Sequence, residues 1–261
     1  MRTQQDSADP GNEMLQDLKA VLLVGGLGTR LRSVVPSTPK VLASIGETAF
    51  LELLVDQLRS QGVHRLVLCT GYLGDQIEAR FGNGENWGVS IEYSKEEEPL
   101  GTAGAIKNAE RYLGDSSTFI AMNGDSFLEV NFCELVEFHH RHAAAVTLAV
   151  VRTEDTSRYG TVQADQAGRV QGFAEKTNKA VPGLVNGGVY VFNRSILKHI
   201  PAGQASLEKD IFPAVLERGV YANEQQGIFI DIGTPADYIR AQQLRSLLDS
   251  AAKGRLSRSV Q

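Results

Sequence analysis

With 261 residues and 42% hydrophobic side chains, the chain is long enough to bury a large α/β core. A formal charge of −5 and the lack of any long basic block exclude a broad duplex-binding surface, so nucleic acid is not an expected partner. Two isolated cysteines, Cys69 and Cys133, exclude a disulfide framework and a paired-thiolate zinc site, and no stretch approaches the ~20 apolar residues that span a bilayer. The expectation is a cytoplasmic protein with no membrane partner.

Residues 1–17 are polar, lack the apolar run of a signal peptide and are expected to form a disordered extension. From KAVLLV (19–24) onward, short β-branched runs alternate with helical patterns, as βαβ units require. The spacing predicts a strand at 19–24, then a helix at 49–61 with Leu51, Leu54, Val55 and Leu58 on one face. It continues with strand 65–70, helix 73–81, strand 89–94, helix 102–113, strand 117–125 and helix 131–142. Trp87 reads as a loop anchor. His139 and His142 share a side of the 131–142 helix but lack a third ligand, so they read as a solvated helix end and not as a metal pair. After residue 145 the strands 145–151 and 184–192, with turns such as ADQAG (164–168), predict an antiparallel or mixed extension. Helices are expected at 207–218, capped by Ser206, and at 235–249. The predicted whole is one domain over 18–250, a mixed, mostly parallel sheet flanked by helices with a small β-rich lobe, and a flexible tail at 251–261.

The stretch VLLVGGLGTRLRSVVPSTPK (21–40) ends a buried strand in glycine. Gly25, Gly26 and Gly28 leave backbone N–H groups open to a phosphate, Arg30 adds a planar fork and Lys40 a compact charge. This pattern suits either a polyphosphate site or a tight turn with solvated basic residues. It is not a Walker loop, and Leu31 stands where a dinucleotide fingerprint needs its third glycine. MNGDSF (122–127) places Asp125, and FIDIGTP (229–235) places Asp231, at strand ends on the same sheet edge. Two such carboxylates facing a triphosphate would hold Mg²⁺; each alone is more often a turn or cap residue than a metal ligand. GFAEKT (172–177) offers Glu175 and Lys176, as site residues or as a surface ion pair. In LVNGGVYVF (184–192), Asn186 precedes two glycines inside a strand, a mark of close approach by another group.

GGLGTRLRSVVPSTPK resembles the signature GGxGTRL…PK of the sugar-1-phosphate nucleotidylyltransferases, and NGD, EK, NGG and DIGTP follow in that family's order, over about residues 19–245. The resemblance implies a GT-A-like Rossmann variant and the reaction of an NTP with a sugar 1-phosphate to give an NDP-sugar and pyrophosphate. It further implies that Arg30 and Lys40 neutralise the triphosphate, that Asp125 and Asp231 hold Mg²⁺, and that Lys176 binds the incoming sugar phosphate. These five form the implied catalytic set. Leu23, Gly25, Gly26, Gly28, Thr29, Gly101, Thr102, Asn123 and Gly124 complete the implied nucleotide site, and Gly160, Glu175, Asn186 and Gly187 line the implied sugar pocket. Asp210 is a further candidate for that pocket.

EEEPLGTAGAIKNAE (96–110) resembles the segment common in guanylyltransferases. A carboxylate there accepts guanine N1–H and N2–H₂ together, which uracil and adenine cannot offer. Glu97 is the expected reader, with Glu96 and Glu98 solvated; the alternative is three exposed glutamates. The combined motifs resemble the bacterial D-glycero-α-D-manno-heptose 1-phosphate guanylyltransferases that supply GDP-heptose for capsule or surface-layer glycans, with GTP as donor. Mannose or glucose 1-phosphate and UTP or dTTP stay open. So do a homodimer and a catalytically silent binding subunit, although silencing should have erased the charged set. One departure is Val41, where the family has proline after the signature lysine, which removes a rigid φ. No hexapeptide β-helix repeats follow the catalytic part.

Overall fold

The computed structural model describes residues 14–174 and 180–254. Strand β1 (Lys19–Leu23) alternates its side chains between the two faces of the sheet. Ala20 and Leu22 join one buried cluster with Leu51, Leu54 and Leu58, while Val21 joins the other with Ala103 and Ile106. A short hairpin, β2 (Ser44–Ile45) and β3 (Thr48–Ala49), leads into α1 (Phe50–Ser60), whose apolar face is the one the periodicity predicts. Then come β4 (Arg65–Thr70), α2 (Gly74–Phe81), β5 (Ser90–Lys95), α3 (Gly101–Asn108) and β6 (Thr118–Asn123). Strands β6, β1, β4 and β5 are parallel neighbours in that order, so their carboxyl ends share one edge.

Beyond β7 (Ser126–Leu128) and α4 (Phe132–Arg141), the sheet continues through β8 (Val146–Thr153), the hairpin β9 (Thr161–Ala164) and β10 (Val170–Ala174), and the long β11 (Gly183–Asn193). β11 pairs antiparallel with β6 through Val189–Asn193 and with β9 through Leu184 and Val185, so one strand bridges both halves. The β-rich part is therefore an extension of the same nine-stranded sheet, completed by β12 (Val220–Gln225) parallel to β8. β13 (Phe229–Asp231) precedes α5 (Pro235–Gln243) and α6 (Arg245–Ala252).

Several expectations are corrected. Residues 14–16 form a helical turn and Leu15 is buried, so the described end of the 1–17 extension packs on the core. The tail expected to be flexible from 251 is helical through Ala252, with Ala251 and Ala252 buried. The helix expected at 207–218 is broken into a π turn (Leu207–Ile211), Phe212–Ala214 and a 3-10 turn (Leu216–Arg218), since Pro213 has no N–H to donate back along the segment. The Ser206 cap is present, its side chain accepting from Lys209 N–H. Among the described residues no helix is long and apolar enough to cross a membrane.

His139 is not solvated: it is 2% exposed and its Nδ1 lies 3.0 Å from Thr147 Oγ1. Burial, with a smaller contribution from His140, lowers its imidazole to about 4. The unfolded chain therefore takes up the proton first, and stability is complete above the ordinary histidine range and declines as the pH falls towards 4. Urea unfolding at pH 7.5 and pH 5 should differ by roughly 2 kcal/mol from this group, and His139→Gln should flatten that difference. Equal pH slopes for both proteins would refute this.

Candidate functional site

The chain turns out of β1 where its neighbours end. Val24 N–H donates to Cys69 O at 3.0 Å and Gly124 N–H donates to Leu23 O at 3.0 Å, which fixes three strand ends side by side. A methyl group at Gly25 would stand 3.0 Å from Gly71 N, and one at Gly124 2.7 Å from Leu23 O, so both glycines are needed for backbone approach. A methyl group at Gly26 would meet nothing within 4 Å, and the residue faces a cavity of about 290 Å³. Leu23, Gly25, Lys40, Asn123 and Asp125 line that cavity with it. Gly28, with φ +58, packs over Lys40 Cβ and begins the 3-10 turn Thr29–Leu31, which holds Thr29 and Arg30 exposed outside the cavity lining. The Arg30 fork instead lies beside Gly233, in the turn after Asp231.

Lys40 Nζ donates to Asp125 Oδ2 at 2.6 Å. Its loop does not lack rigidity for want of the second proline. Val41 is 4% exposed and packs where a methyl at Gly124 would meet it, so packing anchors the loop in place of a fixed φ.

Asp231 is not on the edge of the main sheet. It ends β13, which pairs antiparallel with β7 in a separate ribbon that sets Asp231 opposite Ser126. Asp125 follows β6 in a turn, and its carbonyl accepts from Ile232 N–H at 2.9 Å. Ser126 Oγ lies 3.4 Å from Asp125 Oδ1 and 3.3 Å from Asp231 Oδ2, so one hydroxyl stands between two carboxylates. Sequence reasoning missed Ser126, whose only signal is its place directly after Asp125. Burial, then the charge of Asp125, raises the Asp231 carboxyl above its usual range, while Lys40 opposes the shift. Crowded, partly desolvated carboxylates of this kind suit a hard divalent cation that draws its other ligands from water and phosphate. No third His, Cys, Asp or Glu completes a metal cluster among the described residues.

Glu96, not Glu97, lies on the cavity wall; Glu97 and Glu98 are exposed. Glu96 Oε2 accepts from Leu100 N–H at 3.1 Å, its Oε1 faces Gly25, and burial raises its carboxyl. Gly101 and Thr102 also line the cavity, yet both are held by the chain beyond it. Gly101 has φ +69 and would place a methyl 2.5 Å from Ala205 O. Thr102 Oγ1 accepts from Leu207 N–H at 2.8 Å and donates to Glu208 Oε2 at 3.1 Å.

A second cavity of about 500 Å³ adjoins through Glu208 and contains Gly160 and Asn186. Asn186 Nδ2 donates to Tyr190 Oη at 2.8 Å and its Oδ1 accepts from Gly188 N–H at 3.0 Å, across a bulge in β11 between Asn186 and Val189. Gly187 does not line this cavity; it is buried against Leu128. Asn123 abuts Gly188 at the join between the cavities, and its Oδ1 is buried with no hydrogen-bond partner. Asp210 is spent on Ser206 N–H at 2.7 Å, and the wall residues missed from sequence are Tyr159, Glu208 and Lys209. The Tyr159 ring lies between Phe229 and the Arg158 guanidinium, which a two-pronged ion pair ties to Asp237. Glu175 and Lys176 lie outside the described residues.

A family model described as nucleotidyl transferase matches residues 19–246. Mannose-1-phosphate guanylyltransferase of Mycobacterium tuberculosis is 37% identical over 239 residues, 89% of this chain and 66% of that protein. Mannose-1-phosphate guanylyltransferase catalytic subunit beta of Xenopus tropicalis is 37% identical over 226 residues, 85% of this chain and 63% of that protein. The chain thus spans just under two thirds of the length of these relatives. The crystal structure of HddC from Yersinia pseudotuberculosis complexed with GMP-PN aligns with a TM-score of 0.78 at 34% identity, over 87% of this chain and 98% of that one.

Proposed function

The chain belongs to the nucleotidyl transferase family, and on that premise we propose that it transfers GMP from GTP to a sugar 1-phosphate, releasing pyrophosphate. D-glycero-α-D-manno-heptose 1-phosphate is the favoured acceptor, and the GDP-sugar formed would feed capsule or surface polysaccharide synthesis. The observation that carries the reading is the convergence of Lys40, Asp125, Ser126 and Asp231 beside a glycine-walled cavity, with a second, mainly apolar cavity next to it whose polar groups include Asn186 and Glu208. The guanine nucleotide is supported by Glu96 on the wall and by the GMP-PN held in the similar solved structure.

A phosphate oxygen of the acceptor attacks the α-phosphorus in line. One P–O bond forms, the bond to the β-phosphate oxygen breaks, and pyrophosphate leaves with the electron pair. The backbone around Gly26 would receive the phosphates, a role supported by the open space where a side chain at Gly26 would stand. Lys40 sits beside Asp125, where it offsets the charge that moves onto the leaving pyrophosphate. Arg30, exposed near Gly233, would supply its charge to the outer phosphates. Asp125 and Asp231 are the residues that would hold Mg²⁺, which supplies charge neutralisation of the triphosphate. Asn186, Glu208 and Tyr159 surround the volume for the sugar ring, and the unpartnered Asn123 Oδ1 offers an acceptor to a hydroxyl at the join. Lys176, outside the described residues, is the proposed ligand of the acceptor phosphate.

Mannose 1-phosphate is the second reading, favoured by the two named relatives at 37% identity. A pyrophosphate-release assay crossing GTP, ATP, UTP and dTTP with heptose, mannose and glucose 1-phosphates decides between them. GTP with the heptose should give the highest kcat/KM. Faster turnover of mannose 1-phosphate would reassign the acceptor, and activity with UTP but not GTP would remove the base assignment.

A further inference from the structure

We propose that the groove behind α3 is a second, effector site for a phosphoryl or pyrophosphoryl anion, separate from the nucleotide cavity. The groove has a volume of about 790 Å³ and is walled by the C-terminal half of α3, residues 110–115, Arg194 and the 202–203 turn. Three cations, Lys107, Arg111 and Arg194, face two carboxylates, Glu110 and Asp115. Lys107 and Glu110 satisfy each other at 2.7 Å, and Lys107 also donates to Leu197 O at 2.9 Å. That leaves Arg111 and Arg194 against Asp115 alone. Arg111 stacks over Tyr112 and donates to its hydroxyl at 2.8 Å, so its fork is held in place at the groove.

Arg194 is the distinctive member. Its Nη1 is buried with no hydrogen-bond acceptor, and it enters no ion pair among the described residues. A guanidinium cannot shed its proton, so leaving a buried donor unmet is costly, whereas structural arginines find a carboxylate or a carbonyl. Arg158 and Arg152 in this chain do so, each with an acidic partner. An oxyanion between Arg111 and Arg194 provides the missing acceptor, and a phosphoryl group matches the arginine fork in shape as well as charge.

The groove is mechanically joined to the nucleotide cavity. Gly101 and Thr102, at the start of α3, line that cavity, while Gly104 and Lys107 line the groove. Gly101 and Gly104 both abut the 203–205 turn at distances that exclude a Cβ, with Ala103 N–H donating to Ala205 O at 2.9 Å. A ligand that shifts the turn therefore shifts Thr102 and its partner Glu208, which is what coupling between two sites requires.

Pyrophosphate titrated into the full ¹⁵N-labelled chain tests this without reference to catalysis. Saturable amide shifts are expected at residues 107–115 and 202–203, alongside any at 25–40. Arg194→Gln should weaken the groove response roughly tenfold or more while sparing the response at 25–40. Arg111→Ala, at an exposed side chain, should weaken it as well and guards against misfolding of the first variant. Shifts confined to 25–40, or an unchanged groove affinity in both variants, would overturn the proposal. Groove shifts that follow protein concentration and not pyrophosphate would overturn it too, in favour of a self-association face.

Discussion

Asp125→Asn should reduce kcat by roughly 10²–10³-fold while leaving the fold intact, a loss in line with removing one charged group from a phosphoryl-transfer site. Two features separate these outcomes. The carbonyl of Asp125, not its side chain, holds Ile232, so the substitution leaves the β6 turn tied to the β13 turn. The ion pair with Lys40 is partly open to solvent, with Asp125 at 38% side-chain exposure, and such a pair is worth at most about 1 kcal/mol. Catalytically the change is much larger. One of two carboxylates becomes neutral, Lys40 loses its anchor, and the pocket can no longer concentrate positive charge where the triphosphate lies. Steady-state pyrophosphate release together with urea unfolding measures both quantities. Near-normal turnover would make Asp125 a turn residue, and a collapse of the unfolding midpoint would make it a structural one.

Glu96→Gln should abolish most of the preference for GTP over ITP, with kcat/KM for GTP falling roughly 10- to 100-fold. A carboxylate accepts from both N1–H and the 2-amino group of guanine, whereas glutamine turns a donor towards one of them. The Leu100 N–H bond survives because the amide oxygen still accepts it, so the loop keeps its shape. ITP lacks the 2-amino group and therefore reports that contact alone. Glu97→Gln, at an exposed position, should leave the ratio unchanged. The opposite pattern, with Glu97 moving the ratio and Glu96 not, would return the assignment to Glu97 and leave the cavity wall without a base-reading role.

The cluster of glutamates marks where sequence reasoning loses resolution. Three consecutive acidic residues are equivalent on paper, and only the end of β5, with Glu96 N–H donating to Thr70 O, turns Glu96 inward and its neighbours outward. Gly187 shows the same limit in another form. A glycine inside a strand signals close approach, but whether the approaching group is a ligand or, as here, Leu128 depends on a strand 60 residues away in sequence. Glu208 and Lys209 were legible only as a capped helix start, since neither carries a motif until α3 packs against them.

What local order can encode was already readable along the chain. The alternation of β1, the apolar face of α1, the succession of short strands and helices from β1 to β6 and the glycine turn after β1 all follow from contacts within a few residues or from the two-residue and roughly 3.6-residue periods. What such order cannot encode is where distant segments meet. The ribbon of β7 and β13 that brings Asp231 to Ser126, the bulge that sets Asn186 beside Tyr190, and the turn that joins Gly101 to Ala205 are long-range pairings. Each is chosen by packing and hydrogen bonding summed over the whole sheet, a sum that no window of sequence contains.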